Sequence, residues 1–280
     1  MDSTFRTFML MTVLTVLFVV VGGMLGGKQG AINAFLIAAV INFFSYWFSD
    51  KLVLRRYRAS QIQENDNPRL YHMVSDLAEK ANLPVPKIYL IPEQTPNAFA
   101  TGRNPKHAAV AATQGILELL DDNELAGVMA HELAHVKHRD ILTGTIAATF
   151  AGAVAMLAQI ARYGSYNRRN RNPLGMILIL VGAPLAAMLI RMAISRVREY
   201  AADRGGAEIS GKPLGLANAL NKLKYGVQKH PLQRGNAAHS HMFTVNPFFG
   251  GLQKLFATHP PVEERVKRLE EIARQDSQQN

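Results

Sequence analysis

The chain has 280 residues, 48% of them hydrophobic, with a formal net charge of +10 and no cysteine. Lack of cysteine excludes disulfides and thiolate metal ligands, so any zinc has to be held by histidine and carboxylate. The basic excess does not read as a nucleic-acid face: four basic residues in 51–60, four in 162–172 and three in 191–198 stand in acid-free stretches beside apolar runs, as anchors to anionic lipid headgroups do.

Residues 7–27 and 31–49 are uncharged, and each is long enough to cross a bilayer as a helix. Residues 1–50 are therefore expected to form a transmembrane hairpin turning at Gly27-Lys28-Gln29-Gly30. A cleaved leader is the competing reading of the first run, but the second follows almost at once and no small-residue cleavage site separates them. Lys51, Arg55, Arg56 and Arg58 follow the second run while the turn holds Lys28 alone, which puts the chain after residue 50 on the cytoplasmic side of a bacterial-type membrane.

Residues 51–140 read as the first part of a cytoplasmic domain. Pro68, after Asp66-Asn67, opens an amphipathic helix to about Ala81 with Leu70, Met73, Val74, Leu77 and Ala78 on one face. Strands are expected at 87–91, 97–101 and 108–113, between proline and glycine punctuation. If one of them is an edge, Asn97-Ala98-Phe99-Ala100 is the stretch that could pair with an extended polypeptide; an interior strand is the alternative.

Asp121 and Glu124 form a possible capping box, and Leu125, Val128, Met129, Leu133 and Val136 follow at helical spacing. On that helix His131 and His135, four apart, project from one face and can reach a single ion. Glu132 approaches from the side, where a general base acting on water at the metal has to sit. The arrangement is that of a zincin. The metzincin extension would need glycine at 138 and histidine at 141, and the chain has His138 and Ile141.

A second apolar pair, within 141–190, follows the metal helix without an evident breaker, so the two are expected to run together. The pair is expected to span the membrane, although Arg162, Arg168, Arg169 and Arg171 would then lie on the outer side, against the charge rule; core burial is the other reading. Residues 191–280 return to polar sequence, with helices expected over 196–203, 213–227 and 260–274 and a loose tail after Gln275. Glu199 and Asp203 share a helix face, one able to complete the metal site and the other to orient a ligand imidazole. A salt bridge with a nearby arginine is the plainer role for Glu199.

The HELAH stretch at 131–135, EYAAD at 199–203, NAFATG at 97–102, a late Thr258-His259-Pro260 and the order of apolar runs together closely resemble the HtpX membrane metalloproteases, relatives of the CAAX prenyl endopeptidases. The resemblance covers essentially the whole chain. It implies one zinc on His131, His135 and Glu199, catalysis by Glu132, a cytoplasmic active site at a bacterial inner membrane, and a role in stress-linked quality control of misfolded membrane proteins. His259 is a candidate oxyanion donor. His138, His239 and His241 are weaker candidates, and His107 and His230 read as surface.

The expected fold is α+β and mainly helical: a gluzincin-type integral membrane zincin with two N-terminal transmembrane helices, a small sheet beside the metal helix and a second apolar pair. The expected partners are the lipid bilayer and misfolded or unfolded polypeptides, with no nucleic acid; oligomeric state is left open. Two other functions compete. A zinc-organised scaffold or chaperone would bind unfolded chains without needing Glu132. An enzyme narrowly directed at lipidated peptides would call for an enclosed chamber of more helices than four.

Overall fold

In the computed structural model, residues 3–142, 196–229 and 260–279 are described. Met1–Ser49 falls in one compact unit, and Asp50–Leu142 with Ile194–Asn280 in another. Most of the second apolar pair, His259, and the histidines at 230, 239 and 241 lie outside the described residues.

Helix α1 (Ser3–Arg56) is two apolar arms joined by a kink at Gly26 and Gly27. Gly27 has φ +58°, a conformation glycine adopts without a Cβ penalty. The arms return on each other: a Cβ at Gly30 would lie 2.2 Å from the Gly22 carbonyl oxygen, and Asn42 Nδ2 donates to Thr15 Oγ1 at 2.8 Å. The reversal falls earlier than expected because Gln29 is already in the second arm, donating to Asn33 Oδ1 one turn on. Among the described residues one helix, Gly26–Phe48, is long and apolar enough to cross a membrane, with 23 residues and a mean hydropathy of 1.7. Thr7–Val20 is a shorter apolar helix.

In the second unit a four-stranded mixed sheet has the order β1-β2-β4-β3. Its strands are β1 (Ser60–Gln61), β2 (Lys87–Ile91), β3 (Ala98–Gly102) and β4 (Ala108–Thr113). β2 and β4 are parallel, and the outer pairs are antiparallel. The strands read as apolar runs because both faces are covered. Ile88, Ala98, Val110 and Ala112 face the main core, while Ile91, Phe99, Ala109 and Ala111 pack on Val53 and Leu54 at the foot of α1. The Tyr57 ring packs against Phe99 at a 51° tilt, with centroids 5.7 Å apart.

α2 (Pro68–Lys80) begins with Asn67 Oδ1 accepting from the Leu70 amide, and buries Leu70, Val74, Leu77 and Ala78. After the short α3 (Gln114–Leu119) comes α4 (Asp122–Lys137), whose capping box is reciprocal. Asp121 accepts from the amides of Asn123 and Glu124, and Glu124 Oε2 accepts from the Asp121 amide. Every residue from Glu124 to Ala134 is buried, so α4 is the central helix, packed on α2, β3 and two later helices.

Those are α5 (Arg196–Ser210) and α6 (Pro213–Lys229), followed by α7 (Val262–Gln279). Two expectations are corrected. α4 does not run on into residues 141 and beyond: it caps at His138, and Arg139 turns the chain at φ +58°. The tail after Gln275 is not loose either, because α7 continues to Gln279, with Ser277 Oγ donating to the Ala273 carbonyl.

Candidate metal centre

α4 and α5 cross where His131, His135 and Glu199 stand, and small residues allow the approach. A Cβ at Gly206 would stand 2.8 Å from the His131 amide nitrogen and 2.9 Å from its Cα, so only glycine lets α5 lie this close. The crossing brings His131, His135 and Glu199 together, with one ligand atom of each within 4.8 Å of the others. Glu199 Oε2 is 3.9 Å from His131 Nε2, and Oε1 is 3.6 Å from His135 Nε2. Ligands about 2 Å from a tetrahedral zinc stand roughly 3.3 Å apart, so a contraction of up to about 1.5 Å would close this set on an ion.

The electrostatics agree with the donor chemistry. Glu132, Glu199 and Asp203 are buried carboxylates; Arg265, with no exposed surface, meets Glu199 and Asp203, and Arg198, also buried, lies beside Asp140. An anionic surplus in a desolvated site suits a divalent cation. His131 Nδ1 lies 3.0 Å from Asp203 Oδ1, which leaves Nε2 directed at Glu199. Burial pushes the Asp203 carboxyl up, but the Arg265 guanidinium and His131 outweigh it and hold the group well below the usual carboxylate range. Burial likewise pushes His135 down, yet the carboxylates of Asp140, Glu199 and Glu132 raise it to about 9.

Glu132 is 6% exposed and reaches the sheet, where its Oε2 accepts from the Ala100 amide at 3.0 Å. β3 is an edge of the described sheet. Thr113 donates to the Asn97 carbonyl, so Asn97, Phe99 and Thr101 direct their backbone groups at β4, and Ala98, Ala100 and Gly102 direct theirs outward. The Asn97–Ala100 stretch thus adjoins the Glu132 carboxylate.

Other histidines stand apart. His138 is exposed at the α4 cap and outside the cluster, and His107 is exposed with its ring on Asn104. Sequence reasoning missed Arg265 and Asp140. Arg265 had a signal: Val262, Val266, Leu269 and Ile272 form the apolar stripe of α7, and an arginine at the i+3 position of that stripe points into the core. Asp140 had none, since only the turn at Arg139 carries it back toward His135.

A helix bearing two histidines, a carboxylate from a crossing helix and a second carboxylate at a sheet edge form the arrangement expected of a metallopeptidase. The sequence model of peptidase family M48 matches residues 64–273, and the chain belongs to that family. Within it the chain falls with the HtpX proteases. It is 55% identical over 278 residues to a protease HtpX homolog of Syntrophotalea carbinolica, covering 96% of this chain and 99% of that protein. A protease HtpX homolog of Burkholderia cenocepacia is 56% identical over 275 residues, with 96% of each chain covered. Among solved structures, the Ste24p crystal structure from S. mikatae is similar, with a TM-score of 0.52 and 16% identity; the match covers 92% of this chain and 62% of that one, and is a likeness of fold.

Proposed function

We propose that this metallopeptidase is a zinc endopeptidase of the bacterial inner membrane that cuts misfolded or damaged membrane proteins at their cytoplasmic segments. The observation that carries the reading is the hydrogen bond from the Ala100 amide to Glu132, which sets the base beside a strand edge. His131, His135 and Glu199 would hold the ion, which supplies Lewis acidity and an acidified water.

Glu132 takes a proton from the attacking water and passes it to the leaving amine nitrogen. The Asn97–Ala100 stretch is where an extended substrate would pair, chiefly through backbone groups and at Ala100 in exchange for the contact with Glu132, so sequence preference is weak. Asp203 holds the His131 ring, and His259 is the candidate donor to the oxyanion. Residues 1–50 and 141–190 act as two membrane hairpins, with 51–140 and 191–280 as the two parts of the cytoplasmic protease domain. A scaffold that only binds unfolded chains would leave Glu132, buried between metal cluster and strand, without a task.

Glu132→Gln should lower cleavage of a fluorescently labelled unfolded polypeptide about 100-fold or more while zinc stays bound. Equal cutting by the variant would remove Glu132 from the mechanism and with it this reading of the site.

A further inference from the structure

The two histidines of the cluster are backed alike but unequally. Behind His131, Asp203 stands 3.0 Å from Nδ1 and is gripped by both arms of Arg265, Nε to Oδ2 at 2.8 Å and Nη2 to Oδ1 at 2.6 Å. Behind His135, Asp140 Oδ2 stands 3.6 Å from Nδ1, and Arg198 Nη1 lies 3.8 Å from the other Asp140 oxygen. The first relay is sealed: the side chains of His131, Asp203 and Arg265 are 2%, 3% and 0% exposed. The second is looser and wetter, at 14%, 12% and 10% for His135, Asp140 and Arg198.

A carboxylate at Nδ1 selects the imidazole tautomer whose lone pair is on Nε2, and it can do so only if it is itself held in place. A guanidinium fork fixes a carboxylate plane in a way that a flexible ammonium does not. Arg265 also lies 3.9 Å from Glu199 and 3.5 Å from His131 Nε2, so one side chain of α7 faces three members of the site.

Resting on the metal-centre reading above, we propose that Arg265 and Asp140 are positioning residues of that centre. Arg265 acts through Asp203 to lock His131, and Asp140 backs His135 with the weaker grip, which makes His135 the leg that lets go first. Arg198 in turn steadies Asp140, tying the end of α4 to the start of α5. Neither arginine needs to touch substrate for this.

The test uses full-length, detergent-solubilised protein with two probes: Zn²⁺ titrated against a chromophoric chelator, and the visible spectrum of the Co²⁺-substituted form. Arg265→Lys keeps the charge and loses the fork. It should weaken zinc binding about 10- to 100-fold and shift the cobalt bands, while Asp140→Asn should weaken it by about 10-fold or less and speed zinc loss to the chelator. If Arg265→Lys does not fold, Asp203→Asn takes its place against Asp140→Asn, with the same order expected. The proposal is overturned if these variants keep wild-type affinity and cobalt spectrum, or if Asp140→Asn proves the more damaging. Wild-type protein that binds no zinc would instead overturn the metal-centre reading itself.

Discussion

Two helices of this chain, α1 and α4, are apolar for opposite reasons. In α1, Phe8, Leu36 and Phe43 are 69%, 56% and 55% exposed, an arrangement that water penalises and lipid does not. In α4, Leu125, Val128, Met129 and Leu133 have no exposed surface, because α2, β3, α5 and α6 enclose the helix. Of the two, the long arm of α1 has the mean hydropathy of a membrane helix, 1.7 over Gly26–Phe48. What separates them further is the polar residues: α4 carries Glu124, His131 and Glu132 inside, each with a partner that justifies its burial, and the long arm of α1 at Gly26–Phe48 has one charged residue, Lys28, near its start.

The contrast is broken most directly by removing packing from α4. Leu125→Ala should destabilise the protein by about 2–5 kcal/mol, read from the midpoint of urea unfolding in detergent. A smaller loss would mean the helix is less enclosed than described. Gly206→Ala acts at the α4–α5 crossing, where the added methyl meets His131 backbone. Its expected cost is about 1–3 kcal/mol, with zinc binding weakened alongside stability; an unchanged affinity would separate the crossing from the ligand geometry.

Acidity sharpens the comparison at the polar positions. His135 is raised from 6.5 to about 9, so its charged form stabilises the fold fully below about pH 6.5, and that contribution is lost as pH rises through 9. Protein treated with EDTA should therefore melt at lower temperature at pH 9 than at pH 6.5. Zinc needs the neutral imidazole and must displace the proton, so the stabilisation it adds should grow over the same window. Thermal melts with and without the metal check both signs. The smallest effect is expected on α1, where Leu36→Ala should move the unfolding midpoint of the protease unit by less than about 0.5 kcal/mol. A shift as large as that of Leu125→Ala would erase the distinction between the two helices.

Where side-chain periodicity and local caps decide structure, the sequence was informative. The stripe of α2, the apolar strands between prolines, and the Asp121–Glu124 box all act within a few residues. The juxtaposition of His131 with His135 is equally local, and Glu199 with Asp203 needed only one helical turn. What escaped depends on distant partners or on backbone choices that leave no compositional mark. The order β1-β2-β4-β3 places β3 outermost although it precedes β4 in the chain, and two-residue β1 exists only because β2 offers it a partner. Arg139 stops α4 without a proline or glycine, and Arg265 reaches the centre across more than sixty residues from Asp203.

That last contact gives the chain an order of assembly. Arg265 is translated after His131, Glu132, His135, Glu199 and Asp203. Until it emerges from the ribosome, Asp203 lacks the cation that holds it against His131. A chain stalled before α7 would carry the whole HELAH motif without the guanidinium that grips Asp203.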